Sequence, residues 1–200
     1  MKSFSVDGRR TLASILGCLG LLASGTCLAG QSETDQMHFD VGLTYASGLN
    51  KITDAFSDEV AQSGGTTTSK VKVPVGAVFS PYYLTSLNVG IGADFGPITI
   101  VSLGGNTSTL IPLGVDARYV FPTGQSAQPY VRIGLRDPVV TGGVLKNSKA
   151  GAFGAVGFVF PQSHFGFEVQ VDYSKVDVVY NGITETVKPL ETLVSIYAHF

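Results

Sequence analysis

Tryptophan is absent from the 200 residues, and cysteine occurs only twice, at Cys18 and Cys27. Both thiols lie in the first 29 residues, which read as a secretory signal. Lys2, Arg9 and Arg10 supply a basic start, Thr11 to Ala23 a short apolar run, and Cys27-Leu28-Ala29 small residues for cleavage. The run is too short to cross a bilayer as a helix, so removal is expected rather than anchoring. Ile15-Leu16-Gly17-Cys18 partly matches a lipoprotein box but lies inside the apolar run, and nothing after Arg9-Arg10 completes a twin-arginine signal. Cutting after Ala29 leaves 171 residues without cysteine. That excludes disulfides and thiolate metal sites, and it leaves a short segment, 30–36, before one domain over 37–200. Charge is sparse, at 14% of residues, and the net value is −2. Without the signal the chain keeps 10 basic and 14 acidic residues, no basic stripe for nucleic acid, and no apolar run long enough for a transmembrane helix. A place in a membrane would therefore have to be made by strands.

Period-two alternation recurs eight times with turn residues between. Phe39, Val41, Leu43 and Tyr45 alternate with Asp40, Gly42 and Thr44. Val71 to Phe79 carries Val71, Val73, Val75 and Ala77 against Lys72, Pro74 and Gly76. Leu87 to Phe95 sets Ile91 and Ala93 against Gly92 and Asp94, and Ile111 to Phe121 sets Val115 and Tyr119 against Asp116 and Arg118. Val131, Ile133 and Leu135 oppose Arg132, Gly134 and Arg136. Gly151 to Phe160 is apolar on both faces, so its orientation is open. Phe165 to Tyr173 opposes Glu168, Gln170 and Asp172, and Val194 to Phe200 opposes Glu191, Ser195, Tyr197 and His199. Segments of about ten residues suit tilted membrane strands.

A longer period lies above this one. Phe79-Ser80-Pro81, Phe121-Pro122, Phe160-Pro161 and Phe200 close alternate segments, with phenylalanines 42, 39 and 40 residues apart. A hairpin unit of about forty residues with an aromatic at one end of each descending strand is expected. Prolines are expected at rims and turns, with Pro81, Pro122, Pro129 and Pro161 at one end and Pro74, Pro97, Pro112, Pro138 and Pro189 near the other. Connections at 80–85, 122–129 and 161–164 are short, 47–69 is long, and 96–108 and 137–149 are intermediate. Short turns on one side and longer loops on the other match outer-membrane barrels rather than soluble ones.

The last segment, Val194-Ser195-Ile196-Tyr197-Ala198-His199-Phe200, resembles the carboxy-terminal signature read by the barrel-assembly machinery, carried by Val194, Ile196, Ala198 and Phe200. The chain from 37 to 200 is similar to the small eight-stranded outer-membrane barrels typified by the OmpA membrane domain. The resemblance implies an all-β, antiparallel, up-and-down transmembrane barrel, with outer-membrane lipid and the assembly machinery as partners. It carries no catalytic motif, and Tyr and Phe must serve where Trp is common in such girdles.

An eight-stranded barrel is just wide enough for its own side chains to fill. The expected inward set holds Asp40, Lys72, Asp94, Asp116, Arg118, Arg132, Arg136, Glu168, Asp172 and Glu191, with glycines leaving room for the arginines. Unpaired burial of these charges would be costly, so a paired network acting as a plug is expected, with an ion path as the alternative. Catalysis on lipid A would need a base near a nucleophile at the outer leaflet. His38, His164 and His199, the histidines of the chain, fall at the opposite end, which argues against an enzyme. His38 and His199 are expected to be neighbours at the rim, too few for a zinc site, and no cofactor is implied. Gly104-Gly105-Asn106 and Gly142-Gly143 read as turns rather than phosphate loops.

Leu49, Ile52, Phe56 and Val60 recur at helical spacing and suggest a short amphipathic helix in the first external loop, most simply a cap over the barrel mouth. Ile98, Ile100, Val101 and Leu103 are apolar for a loop tip. With the helix they are expected to form a small hydrophobic groove or partner site. Two function classes follow: a structural or surface-interaction barrel, or a barrel that binds or transports a small, apolar solute.

Overall fold

The computed structural model describes residues 34–62, 64, 74–103, 106–123, 126–180 and 182–200. The expected signal segment 1–29 and Val71, Lys72 and Val73 lie outside them. The elements in chain order are β1 (Gln36–Ala46), α1 (Leu49–Gln62), β2 (Val75–Leu84), β3 (Val89–Leu103), β4 (Asn106–Val120), β5 (Gln128–Gly142), β6 (Leu145–Lys149), β7 (Gly151–Phe160), β8 (Phe165–Asp172), β9 (Lys175–Tyr180), β10 (Ile183–Val187) and β11 (Thr192–His199).

Eight of these strands close into a barrel in the order β1-β11-β8-β7-β5-β4-β3-β2, every neighbour antiparallel. Closure runs through β1 and β11, where Asp40 pairs with His199 and Ala46 with Leu193. Phe39 and Phe200 exchange backbone hydrogen bonds at 2.8 and 3.0 Å just beyond. A closed sheet leaves no unpaired edge, which a strand surrounded by hydrocarbon cannot tolerate.

Alternation sorts the side chains as the period demands. Ile91, Ile133 and Ile196 point outward with 67%, 68% and 50% of their surface exposed, within a continuous apolar exterior. Asp40, Asp94, Arg118, Arg132, Arg136 and Asp172 point inward and are buried. A soluble barrel has the reverse distribution, so this chain is built for an apolar surround. The open orientation of Gly151–Phe160 resolves through packing: Phe153, Ala155 and Val159 face inward, and Val156 and Phe158 outward.

Several boundaries differ from the sequence reading. β2 does not end at Phe79-Ser80-Pro81 but runs to Leu84, so the outward Phe79 sits within the strand, stacked between Phe39 and Phe95 at centroid distances of 6.2 and 6.0 Å. Pro81 removes a donor that the β2–β3 register directs at the Ala93 carbonyl, and Ser80 Oγ donates to that carbonyl instead at 3.3 Å. The intermediate loops 96–108 and 137–149 are mostly strand, because β3, β4 and β5 each run 15 residues. Pro112 and Pro138 therefore lie inside strands, opposite each other. Pro112 faces the interrupted stretch of the β3–β4 ladder, and Pro138 lies beyond Gly151, where β5 has lost its β7 partner. Neither position had a barrel hydrogen bond to lose.

That interruption is a β-bulge at Gly96-Pro97. Before it Val89 and Ile91 point outward; after it Ile98 and Ile100 do, while Thr99 and Val101 are buried. One extra residue restores the lipid-facing register. Gly96 has φ 125°, and a Cβ there would meet the Ala77 carbonyl oxygen at 2.4 Å, so only glycine fits. Beyond the barrel, β10, β9 and β6 form a second, three-stranded sheet over the same end as α1. It was not expected from the sequence, although Asn181-Gly182 between alternating segments is a hairpin signal, and Gly182 has φ 84°.

Candidate functional site

The interior is layered. At the short-turn end Tyr82, Leu84, Val120, Tyr130, Val159 and Tyr197 form an apolar cluster, with Tyr197 Oη donating to Tyr130 Oη at 2.9 Å and Tyr130 Oη to Glu168 Oε2 at 2.7 Å. His38 and His199 stack here at 5.0 Å, and His199 Nδ1 lies 2.8 Å from Asp40 Oδ1. They are neighbours as expected, and both point into the barrel and are buried.

Above this lies the charged layer. Arg118 donates from Nη1 to Asp40 Oδ2 at 2.8 Å and from Nη2 to Ser80 Oγ at 3.1 Å, with its guanidinium 3.6 Å from the Tyr82 ring centroid. Arg132 reaches Ser80 Oγ, Glu168 Oε1 and Gln170 Oε1, each at 3.0 Å. Arg136 donates to Asp172 Oδ2 at 3.0 Å and to the Asp94 carboxylate, and lies 4.7 Å from the Phe153 ring centroid. Asp172 Oδ1 also accepts the Ser174 backbone N–H at 2.7 Å. Asp116 is held more loosely, 3.7 Å from Arg118 Nε and 3.9 Å from Arg132 Nη1. Three guanidiniums thus face the five carboxylates of Asp40, Asp94, Asp116, Glu168 and Asp172, and each arginine is shared.

Bulky interior groups lie across from glycine. Gly90 pairs with Arg118, Gly134 with Phe153, Gly157 with Tyr130, and Gly166 with Tyr197. A Cβ at Gly166 would come within 2.1 Å of the Tyr197 ring. A cavity inside the barrel between Asp40, Ser80, Arg132, Glu168 and Tyr197 has only about 10 Å³, room for about one water.

Of the expected interior set, Asp40, Asp94, Asp116, Arg118, Arg132, Arg136, Glu168 and Asp172 come together; Lys72 lies outside the described residues. Glu191 does not join them. It precedes β11, is 44% exposed, and pairs with Lys51 of α1. Ser80, Tyr82 and Phe153 were missed: the first two were read as a turn because of Pro81, and the third lay in a segment apolar on both faces. Val194, Ile196, Ala198 and Phe200 all sit on the outward side of the closing strand.

The lid end is apolar again. Leu49, Ile52, Ala55, Phe56 and Val60 of α1 pack with Ala46, Val101, Leu110, Val144, Leu145, Val176, Val178, Val187, Leu190 and Leu193. The expected groove is therefore closed. Leu49, Ile52, Phe56 and Val60 are buried in this core rather than offered to a partner, and Ile98 and Ile100 lie on the outward face of β3, not at a loop tip. What opens at the surface instead is a polar cleft of about 300 Å³ between α1 and β10, lined by Lys51, Asp54, Asp58, Glu185 and Lys188 among others.

Glu59 is the exception within α1. It is 1% exposed, the Glu185 backbone approaches it, and neither carboxylate oxygen has a partner in good hydrogen-bond geometry. Burial holds its carboxyl above the usual carboxylate range. A raised acid binds its proton more tightly folded than unfolded, so its contribution is complete below the unfolded value and is lost as pH rises through the folded one. Protease resistance of the 49–62 helix is expected to fall as pH rises from acid toward neutral, and Glu59→Gln is expected to flatten that dependence. A helix equally resistant at every pH in the wild-type chain would contradict this assignment.

An apolar exterior, a charged filling and short turns at one end define a class: the chain is a small eight-stranded β-barrel of the outer-membrane type. Among solved structures it is similar to the outer membrane protein OprG from Pseudomonas aeruginosa, with 13% identity over 83% of this chain and 94% of that one, at a TM-score of 0.50. It is similar at 13% identity to outer membrane protein AlkL in DMPC bilayers (88% and 95% covered, TM-score 0.44). The outer membrane protein Ail from Yersinia pestis is 12% identical (82% and 98% covered, TM-score 0.38). No protein-family model and no curated protein matches the chain.

Proposed function

We propose that this barrel has a structural or surface-interaction role and that its interior is a plug rather than a path. The observation that carries the reading is the filled lumen: a shared network of three arginines, glycines spaced to admit them, and a cavity of about 10 Å³. Apolar layers above and below add to it. The polar cleft beside α1 is the surface this reading offers for contact outside the cell. Val194, Ile196, Ala198 and Phe200 are read as the outward strand face engaged by the assembly machinery. Catalysis is left out of the reading because His38, His164 and His199 are all at the periplasmic end, where His199 is already held by Asp40. Solute transport loses its main support, since the apolar residues of the first two external segments are spent on the lid core or face lipid. Planar-bilayer recordings of folded protein are expected to show no sustained conductance. Stable openings of sizeable conductance would sink the plug reading and favour an ion path.

A further inference from the structure

The outward face of the small outer sheet carries a row of one sign. Lys149 on β6 is paired in register with Lys175 on β9. The β9–β10 register sets Val187 against Val176, which puts Lys188, the next residue, beside Lys175. Val176 is buried in the lid core, so Lys175 lies on the opposite face, while Lys188, one residue past β10, stands at the rim between that face and the cleft beside α1. Three lysines thus lie in a line across β6, β9 and the end of β10, strands spaced about 4.8 Å apart. Like charges directly opposite on a sheet are destabilising, and a chain of net charge −2 has no general excess of base to place. The acids nearby are shared: Asp177 attracts Lys149 and Glu191 attracts Lys188, neither within ion-pair distance. Asp177 accepts from Thr186 Oγ1 at 2.7 Å and Asn147 Nδ2 at 3.3 Å and faces Lys146 in register, while Glu191 is held by Lys51. None of the three lysines forms an ion pair with a described acid.

The height of the row is fixed by Tyr173. This residue leaves the barrel just after β8, donates its backbone N–H to the Ala152 carbonyl at 3.0 Å, and points outward with 57% exposure. Outward tyrosines of a membrane barrel mark the interface. Lys175 follows two residues later, about 7 Å further along the chain, and Lys188 Nζ lies 5.2 Å from the Tyr173 ring centroid. The lysines therefore stand at headgroup level, just above the apolar belt.

We propose that Lys149, Lys175 and Lys188 bind the phosphate groups of the outer-leaflet glycolipid, lipid A. Each ammonium donates to phosphate oxygens as a compact charge, which relieves the repulsion along the row, and the Tyr173 ring lies against the lipid below. This uses the outer-membrane architecture alone and does not depend on the plugged interior, so conductance results leave it untouched.

The test is binding of lipid A to the folded full chain in neutral detergent, read by native mass spectrometry with bisphosphorylated and dephosphorylated lipid A. The wild-type chain is expected to retain the phosphorylated form by tenfold or more over the dephosphorylated one, as three basic groups at an anionic surface imply. Lys149→Gln/Lys175→Gln/Lys188→Gln is expected to lose that preference, and Lys146→Gln to keep it. Should the triple variant fail to fold, Lys175→Gln, the central lysine, is expected to lose several-fold on its own. Equal retention of both lipids, an unchanged preference in the triple variant (or in Lys175→Gln), or displacement by millimolar inorganic phosphate would overturn the proposal.

Discussion

Arg136→Ala is expected to lower the stability of the folded barrel by about 3–5 kcal/mol, the cost of leaving a buried charge without its partner. Arg136 is among the most buried side chains of the molecule and neutralises Asp94 and Asp172 together. With five carboxylates already facing three guanidiniums, its loss leaves Asp172 without a described cation and Asp94 with Arg132 alone, at 3.7 Å. Urea unfolding followed on cold gels, where folded and unfolded barrel migrate differently, measures the change. A loss near 1 kcal/mol or below, as for an exposed ion pair, would mean that the interior is hydrated. Replacing the whole triad, as Arg136→Met with Asp94→Leu and Asp172→Leu, is expected to recover most of the loss. Such groups fix a geometry more than they add net stability.

Phe56→Ala acts at the other end. Phe56 is fully buried between α1 and the outer sheet, and truncating a phenylalanine in such a core costs about 3–5 kcal/mol. The barrel strands share that core only at their ends, through Ala46, Val101, Leu110 and Leu193, and keep their ladders and charged layer below it, so the expected outcome is local. Protease is expected to cut within 49–62 while the cold-gel mobility of the barrel persists. A helix as resistant as wild type would show that the lid is held by something other than its apolar face. Unfolding of the whole barrel would show that lid and strands form one cooperative unit.

The barrel was legible in the sequence because its two faces differ so sharply. Period-two alternation put Ile133 outside and Arg132 inside without any knowledge of neighbours, and eight such segments define a closed sheet. Strand ends were less legible, since a proline reads locally as a terminator. Only the register reveals that Pro81 is compensated by Ser80, or that Pro112 and Pro138 fall where no barrel hydrogen bond is lost. The interior acids and arginines were nameable one by one, but their sharing was not, because it depends on which strands lie across the lumen. Glu191 shows the limit: it continues the alternation of the last strand by one step, yet the strand starts at Thr192 and the side chain turns out to Lys51. The outer sheet was missed for a similar reason. Lys175–Tyr180 and Ile183–Val187 offer only a local hairpin signal until β6, distant in sequence, is placed beside β9.

The central claim is that the lumen is closed to water at mid-barrel, and a single thiol tests it most directly. With Cys18 and Cys27 changed to serine, Ala155→Cys puts one thiol on the inward face of β7, where the native side chain is buried. Thr85→Cys in the short turn between β2 and β3 serves as an accessible control. A water-soluble maleimide is expected to label Thr85→Cys in the folded protein at once, and Ala155→Cys only after unfolding in urea. Labelling of folded Ala155→Cys at the rate of the control would contradict a filled barrel.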